Sequence, residues 1–523
     1  MSRAAATEPT TAAGESSAPP ESVTRTGTVI IGTGFSGLGL AIALRKRGRR
    51  DFVIVEKADE VGGTWRDNTY PGCACDVPSH MYSFSFAKNP GWSKQWSYQG
   101  EILAYLKRLA HRHGLHEHIR FGTHVTGASW DEEAGEWTVT ARDGRRFVSQ
   151  FLASGIGALH IPSIPKLPGL ADFQGRTFHS ARWDHDYDLT GKRVAVIGTG
   201  ASAVQFVPHV AAKAAHLDLY QRSAPWVMPR ANFEIPTWLR TTFRLAPGAM
   251  RAYRNAVYWA AESLSVGLNG QRWLLRLGER AGRRHIERQI ADPALRTKVT
   301  PNYTLGCKRI LGSDDYYPAL ARADVEVITD RIDEVRPQGI VTEDGVERPV
   351  DAVIFGTGFH VTDAFDHLDI RGVGGRNMSQ EWRSNGIQTH LGLTVAGYPN
   401  LFFLLGPNTG LGHNSVVFMI EAQIRYIVAA IEAVARHRAR ALDVRRGTQT
   451  RFNHEIQRRL ANGVWSTGGC TSWYLDSQGV NRTVWPGSTV RYWLRTRRFD
   501  LADYRLLTPS RTEFRHDATV AGH

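Results

Sequence analysis

Short runs of β-branched and apolar residues recur along this chain of 523 residues, and most of them lead directly into glycine. Examples are residues 28–32, 151–157 and 351–358. Continuous apolar runs that end in glycine are typical of buried parallel strands. Between them, apolar residues recur with helical spacing, as in residues 38–49. This alternation of strand and helix patterns predicts an α/β fold with parallel sheets.

The first strand, helix and strand unit has the glycine spacing of a dinucleotide site. Gly32, Gly34 and Gly37 open the helix, where they allow a tight turn, close approach to a pyrophosphate and close packing of helix on strand. Glu56 ends the second strand about 20 positions later, where its carboxylate can accept hydrogen bonds from a ribose. We therefore predict an adenine dinucleotide here, with a purely structural turn as the alternative.

A second unit of the same kind lies near the middle of the chain. The strand, the glycine turn at Gly198 and Gly200 and the start of a helix recur there. The strand that follows ends in Gln221 and Arg222, with no acid at the position that matches Glu56. A carboxylate would repel a ribose phosphate, whereas an arginine binds it through two donors. The second nucleotide is therefore predicted to be NADP rather than NAD.

Residues 230–300 differ from the rest of the chain, because they have helical spacing and no strand-like runs. We predict a helical insertion there. Within it, residues 253–277 combine apolar and aromatic residues with flanking arginines. This segment could contact a membrane surface, but packing over a substrate pocket is the favoured interpretation.

Composition and charge exclude several classes of protein. The net charge is +14, but the basic residues are spread along the chain, so nucleic-acid binding is not predicted. The positive potential would attract cofactors that carry phosphates. Four cysteines are too few for a disulfide framework, and we find neither a signal peptide nor an apolar run of about 18 residues. These features predict a cytoplasmic protein without stable membrane insertion, and no metal site is predicted.

Two further stretches carry candidate chemistry. Asp76 follows a Tyr-Pro-Gly turn, where an aspartate is ordinarily only a turn cap. Cys73 and Cys75 are separated by one residue rather than two, so disulfide chemistry between them is not predicted. Lys308 and Arg309 are adjacent cations, which usually means a solvated pair. Apolar residues flank them, so a buried setting is plausible and Arg309 is a candidate site residue.

A pattern of five residues precedes the second glycine turn: Phe173, Gly175, His179, Trp183 and Asp184. With it the chain resembles the type I Baeyer–Villiger monooxygenases, flavoproteins whose fingerprint is Phe-x-Gly-x-x-x-His-x-x-x-Trp-Pro/Asp. Sibling flavin monooxygenases that oxidise amines and sulfides usually carry Tyr or Phe where Trp183 stands. The resemblance covers roughly residues 27–500. A second family pattern is matched by Gly63, Trp65, Tyr70, Pro71, Gly72 and Asp76.

The resemblance implies two Rossmann-like dinucleotide-binding domains with a helical insertion, and it assigns roles to residues. Arg309 is implied as catalytic with Asp76 beside it, and His179 as a linker residue that couples domain motion to catalysis. The implied domains are FAD-binding at 26–165 and 360–507 and NADPH-binding at 166–229 and 301–359. Outside the resemblance, residues 1–25 have almost no bulky apolar residues, which predicts a disordered tail, and residues 508–523 are predicted to form a flexible tail. The implied FAD residues are Gly32, Gly34, Phe35, Gly37, Glu56, Thr64, Trp65, Asp76 and Tyr82. The implied NADPH residues are Thr199, Gly200, Ala201, Ser202, Gln205, Arg222, Ser223, Lys308 and Arg309.

The implied activity inserts one oxygen atom from O2 next to a ketone carbonyl, through a flavin peroxide, to give an ester or lactone. A fixed guanidinium suits this chemistry because negative charge develops on the attacked carbonyl oxygen. Oxidation of sulfides or amines is the alternative, and a flavin reductase or redox-sensing protein without oxygenation is a third hypothesis. The ketone, the regiochemistry and the choice between monomer and homodimer stay open.

Overall fold

The computed structural model describes residues 22–361 and 363–508, apart from the side chains at 364 and 365. The strands are β1 Val23–Ile31, β2 Phe52–Val55, β3 Ile119–Arg120, β4 Val125–Asp131, β5 Glu136–Ala141, β6 Arg146–Ser154, β7 Arg176–His179, β8 Arg193–Ile197, β9 His216–Tyr220, β10 Val227–Met228, β11 Leu311–Gly312, β12 Val325–Ile328, β13 Ile332–Arg336, β14 Gly339–Thr342, β15 Glu347–Pro349, β16 Ala352–Phe355, β17 Asp369–Arg371, β18 Leu401–Phe403, β19 Ala441–Val444 and β20 Tyr504–Leu507.

The α-helices are α1 Phe35–Lys46, α2 Thr64–Asp67, α3 Gln99–Arg112, α4 Ala201–Ala211, α5 Thr237–Leu245, α6 Pro247–Leu268, α7 Arg272–Gln289, α8 Pro293–Val299, α9 Tyr316–Leu320, α10 Met378–Asn385, α11 Val416–Arg436, α12 Arg446–Leu460, α13 Val464–Thr467 and α14 Thr489–Thr496. Helix α1 lies between β1 and β2, and α4 lies between β8 and β9, whereas α5 to α8 follow one another without a strand between them. Short 3-10 helices stand at His116–His118, Leu170–Asp172, Ser180–Arg182, Ala364–His367, Val373–Gly375 and Leu501–Asp503.

The larger sheet collects strands from both ends of the chain. Its order is β17-β4-β5-β6-β1-β2-β3, and β18 also pairs with β6. The pairs β1–β2, β1–β6, β2–β3 and β18–β6 are parallel, whereas β4, β5 and β6 form an antiparallel meander. The parallel centre is the part that the apolar runs predicted, and the meander follows alternating polar and apolar residues.

The second sheet is formed from the middle of the chain. Its order is β12-β9-β8-β16-β7, and its four strand pairs are parallel. Strand β16 therefore closes the second unit beside β8, as β6 closes the first beside β1. The two sheets are separate, and each follows the βαβ logic of a dinucleotide-binding fold. The predicted α/β class is confirmed.

The first glycine of each turn packs against the strand that closes its sheet. Gly32 has φ +95° and Gly198 has φ +103°, which is the region where glycine is favoured. A Cβ on Gly32 would lie 2.8 Å from the carbonyl oxygen of Gly155, and one on Gly198 would lie 2.6 Å from that of Gly356. Both first positions therefore require glycine, for conformation and for space.

The amino-terminal boundary differs from the prediction. Strand β1 begins at Val23, inside the predicted tail of residues 1–25, and Val23 pairs with Arg146. The tail composition has little apolar surface, but β6 is long enough to offer backbone partners to these polar residues. The remainder of that prediction, residues 1–21, and residues 509–523 of the predicted flexible tail lie outside the described residues.

The insertion forms helices α5 to α8, as its spacing predicted. Helix α6 packs on α5 and α7. Trp259 and Trp273 point to solvent, so these two side chains do not pack over a pocket as expected, and the same expectation for the rest of residues 253–277 stays a prediction. Among the described residues, we find no helix with the length and hydrophobicity needed to cross a membrane.

Candidate active site

Glu56 stands at the end of β2 and faces the first glycine turn. Its side chain is buried, and its Oε2 accepts hydrogen bonds from the backbone N–H and the hydroxyl of Thr33, at 2.9 and 2.6 Å. Its Oε1 lies 3.1 Å from the Arg66 guanidinium. The chain thus holds this carboxylate in place beside the start of α1. Gly37, the third glycine, is pressed against the backbone oxygen of Gly32, so that no side chain fits there.

An aromatic wall lies next to this turn. The Phe35 and Tyr82 rings meet edge to face at 5.1 Å, and the Trp65 and Tyr82 rings do so at 5.5 Å. The Trp65 indole N–H also donates to the Tyr82 hydroxyl at 3.2 Å. Thr64 begins the short helix that carries Trp65, directly after the paired glycines at 62 and 63. Phe35, Thr64, Trp65 and Tyr82 are therefore brought together, as the resemblance implied.

Arg309 and Asp76 form a bidentate ion pair across 233 positions of sequence. The Arg309 Nε and Nη2 donate to the two Asp76 oxygens at 2.5 and 2.7 Å. The remaining nitrogen, Nη1, donates to the backbone oxygen of Leu411 at 3.3 Å. Two parallel charge-assisted bonds fix the plane of the guanidinium, which a lysine could not match.

The pair stays ionised although protein surrounds it. Burial is the largest influence on Asp76 and opposes its charged form, but the charge and hydrogen bonds of Arg309 together lower the pKa of Asp76. Asp76 in turn raises the pKa of Arg309, against the opposing effect of burial. About a third of each side chain is still accessible, 28% for Arg309 and 33% for Asp76. A charged group lined by protein yet open to a small molecule suits a reaction centre.

Four side chains of the second unit surround one spot beside the second glycine turn. The Thr199 hydroxyl donates to the Ser223 backbone oxygen at 3.1 Å, and the Lys308 ammonium donates to the Ser223 hydroxyl at 2.5 Å. Burial, and then the charge of Arg222, lower the pKa of Lys308. Within the described residues neither cation has a carboxylate partner. Two unpaired cations beside a hydroxyl form a site suited to a phosphate.

Gln205 and Ser202, two of the implied NADPH residues, contact another segment of the chain, and their contact with the cofactor stays a prediction. Gln205 accepts hydrogen bonds from the Tyr70 hydroxyl and the Ala74 N–H, and its amide donates to the Ala74 oxygen. Ser202 lies beside the same tyrosine. These two residues of α4 therefore bind the Tyr70–Ala74 segment that leads to Asp76. They connect the second unit to the candidate centre.

The comparisons with known proteins identify the family. A Baeyer-Villiger monooxygenase of Pseudomonas aeruginosa is 49% identical to this chain over 480 residues, which is 92% of this chain and 91% of that protein. Another, from Streptomyces coelicolor, is 46% identical over 483 residues, 92% of each. The chain belongs to the Baeyer–Villiger monooxygenases. The family model for flavin-binding monooxygenase-like proteins matches residues 26–241.

Solved structures agree with the Baeyer–Villiger assignment. An oxidised steroid monooxygenase bound to NADP has a TM-score of 0.83 and 30% identity, covering 93% of this chain and 100% of that chain. A cyclohexanone monooxygenase from Rhodococcus bound to NADP+ has a TM-score of 0.84 and 26% identity, with the same coverage. The fold of two dinucleotide-type units with an insertion is therefore that of the family.

The Baeyer–Villiger fingerprint starts just before β7, runs along it and ends in the turn after it. His179 is buried at the end of β7, where burial lowers its pKa to about 4, and its Nδ1 accepts from the Ala181 N–H. The Trp183 ring contacts Phe206 of α4 at 5.3 Å. Asp184 pairs with Arg176 at 2.6 Å, and the Phe173 ring packs on Gly175. A neutral, buried His179 fits a positioning role better than acid–base chemistry.

Two residues near the Arg309–Asp76 pair of this Baeyer–Villiger chain were not predicted from the sequence. Tyr474 is fully buried, with its hydroxyl beside the Arg309 guanidinium; burial raises its pKa. Glu262 of α6 is buried and accepts from the Asn414 amide and the Thr489 N–H, each at 2.6 Å. Asn414 belongs to the loop that binds Arg309 through Leu411. A single buried tyrosine or a lone glutamate on a helix carries no signal in the sequence.

The cysteines also differ in part from expectation. Cys307 and Cys470 are joined by a disulfide across 163 positions, although the cysteine count suggested a reduced protein. Cys73 and Cys75 are buried and free, as predicted. The disulfide ties the loop of Lys308 and Arg309 to the segment that carries Tyr474. A pairing over such a distance depends on the fold and has no local pattern.

Proposed function

We propose that this protein is an FAD- and NADPH-dependent Baeyer–Villiger monooxygenase that inserts one oxygen atom from O2 next to a ketone carbonyl, yielding an ester or lactone. The observation that carries the proposal is the bidentate Arg309–Asp76 pair. It brings a fixed, partly accessible cation to the junction of the two units, where a reaction that builds negative charge on oxygen needs one.

The residues around the first turn fit FAD. Helix α1 begins at Gly34 without a side-chain cap and without an acid in its first turn, so its N–H groups are free for a pyrophosphate. A Cβ on Gly63 would lie 3.0 Å from the Gly34 Cα, so two bare backbones meet there and leave space for a ligand. We assign Gly32, Gly37 and Glu56 to the adenosine half. Phe35, Thr64, Trp65, Asp76 and Tyr82 are assigned to the flavin end.

The residues around the second turn fit NADPH. Helix α4 also lacks a side-chain cap, and its first residues, Gly200 and Ala201, are exposed. We assign Arg222, Ser223 and Lys308 to the ribose phosphate, and Thr199 to Ser202 to the pyrophosphate. Gln205 is assigned to positioning of the Tyr70–Ala74 segment instead of direct contact.

The chemistry of oxygen transfer follows from what the chain holds in place. Reduced by NADPH, FAD supplies the electrons that activate dioxygen. Arg309 keeps its proton, because Asp76 raises its pKa, and its donors stabilise negative charge that develops on the ketone oxygen. Asp76 orients the guanidinium and balances its charge. Trp65, Tyr82 and Tyr474 limit the access of water.

Product analysis with labelled dioxygen tests the proposal. The enzyme, NADPH and a panel of linear, cyclic and bulky ketones are incubated under 18O2, and products are identified by mass spectrometry. We expect an ester or lactone that carries one 18O atom, with NADPH oxidised in proportion. NADPH oxidation that yields only hydrogen peroxide across the whole panel would contradict the proposal.

Oxidation of sulfides or amines is a second candidate, supported by the match of residues 26–241 to the wider flavin-binding family model. The same incubation with sulfides in place of ketones distinguishes the two, since sulfoxide without any ester would favour it. The cytoplasmic location and the choice between monomer and homodimer remain predictions.

A further inference from the structure

We propose that the helical insertion carries a peripheral binding surface for anionic lipid bilayers, formed by the exposed faces of α6 and α7. Its apolar part consists of Trp259, Leu264, Val266, Trp273 and Leu277, and its basic part of Arg272, Arg276 and Arg280. We call these eight residues the insertion face. Trp259 and Trp273 are 60% and 59% exposed. Tryptophan usually buries its large apolar surface, so this exposure is unusual.

Helix α6 has its polarity reversed relative to an ordinary surface helix. The last two charged side chains along this helix, Arg254 and Glu262, point inward. Arg254 donates to the backbone oxygens of His80 and Ser83, and Glu262 accepts from Asn414 and Thr489. The outward positions from Ala252 to Val266 carry no charge and include Trp259. Surface helices of soluble proteins normally place charges outward and apolar residues inward.

Helix α7, which packs on α6, adds positive charge to the exposed surface of the insertion. Arg272, Arg276 and Arg280 are exposed and alternate with Trp273 and Leu277. No ion pair involves these three arginines among the residues that the structure describes. The acid on this stretch, Glu279, turns inward to accept from the Leu305 N–H. Residues 230–300 contain 13 Arg and Lys but 5 Asp and Glu, so this seventh of the chain carries +8 of the total +14.

The combination of residues favours a bilayer over the other occupants. In a symmetric dimer the same patch of each copy faces that of the other. The three arginines of one copy would then lie opposite those of the other, and like charges repel. Tryptophan and arginine together suit the boundary between acyl chains and charged headgroups, where the indole is amphipathic and the guanidinium finds phosphate. None of the described helices combines the length and the hydrophobicity needed to span a bilayer, so the proposed contact is adsorption to its surface.

Vesicle co-sedimentation of the full-length holoenzyme tests the proposal. We use vesicles of phosphatidylcholine alone and vesicles with about one third phosphatidylglycerol. The wild type should sediment with the anionic vesicles and stay in solution with the neutral ones. High salt should release it, because surface charge is screened. Failure to bind the anionic vesicles at low salt would overturn the proposal.

Paired variants locate the binding surface. One variant combines Trp259→Ser with Trp273→Ser. A second combines Arg272→Gln, Arg276→Gln and Arg280→Gln. We expect each of them to weaken vesicle binding about tenfold or more. The controls are Leu494→Ser and Arg498→Gln, which change exposed residues of similar type outside the insertion. Flavin content and NADPH oxidation should be unchanged in every variant, which verifies folding.

Two further outcomes would contradict the insertion face. One is equal loss of vesicle binding in the control variants, which would show that binding is not located on the insertion. The other is a wild-type dimer that the tryptophan variant dissociates, with no difference in vesicle binding. The surface would then be an interface between copies of the chain. Sedimentation velocity of the same preparations measures this directly.

Discussion

The two glycine turns begin alike and end differently. In both, the first glycine adopts positive φ and packs on the carbonyl oxygen of its closing strand. The third position is Gly37 in the first turn but Ala203 in the second. The second strand of the first unit ends in the buried Glu56, whereas that of the second unit ends in the exposed Arg222.

We propose that this difference distinguishes a site for a retained cofactor from a site for an exchanging one. The first turn is enclosed by Phe35, Ser36 and Gly37, all buried, while Gly200 and Ala201 at the second turn are exposed. A buried carboxylate suits ribose hydroxyls that stay in place. Exposed arginine suits a phosphorylated ribose that must bind and leave. The shared turn therefore suits a dinucleotide, and under the proposal the residues around each turn select which dinucleotide binds.

The largest effect should come from Gly37→Ala. Its added Cβ would overlap the backbone oxygen of Gly32, so α1 cannot keep its packing on β1. We expect the purified protein to have lost most of its flavin, measured as absorbance at the flavin bands per protein. Gly200→Ala is the matched control, since its Cβ would lie no closer than 3.6 Å to the Gly356 oxygen. Equal flavin content in the two variants would contradict the prediction that only the first turn binds the flavin cofactor.

Arg222→Gln should affect the nicotinamide cofactor alone. Loss of a charge-assisted contact to the ribose phosphate should raise the KM for NADPH about ten- to a hundredfold. The KM for NADH, which lacks that phosphate, should change little, and flavin content should be that of the wild type. Steady-state oxidation of both cofactors measures this. A parallel rise for NADH would show that Arg222 supports the fold instead of reading the phosphate.

Lys308 should make NADPH binding depend on pH. Its pKa in the free enzyme is lowered by burial and by Arg222, and a bound phosphate would raise it again. Affinity is therefore complete below the free-enzyme pKa and declines as the pH rises above it. We expect a several-fold rise in the KM for NADPH at alkaline pH, absent for NADH and absent in Lys308→Met. An alkaline rise that persists in Lys308→Met would assign it to another group.

The sequence predicted the elements whose signals are local. The apolar runs and glycine turns gave the strands of both sheets, because a buried parallel strand needs a continuous apolar run and a tight turn after it. The beginning of β1 at Val23 was missed, since its polar residues are held by backbone pairing with β6. The exposure of Trp259 and Trp273 was not predicted either, because the solvent exposure of a helical side chain depends on what packs against the helix.

The candidate site was predictable to the extent that a family pattern covered it. Arg309 and Asp76 came from the resemblance, and the structure brings them together. Tyr474, Glu262 and the Cys307–Cys470 bond could not be found, because each depends on contacts between distant segments. The resemblance implied that Gln205 contacts NADPH, and its hydrogen bonds to the Tyr70–Ala74 segment could not be predicted from the sequence.

The central claim is that Arg309 carries the ketone reaction, and Arg309→Ala tests it most directly. The measurement is ester formed per NADPH oxidised, beside sulfoxide formed from a sulfide by the same preparation, with flavin content as control. We expect ester formation to fall about 10²- to 10³-fold, as on removal of a donor to a developing oxyanion, with sulfoxide retained within several-fold. Ester formation at the wild-type ratio would contradict the claim.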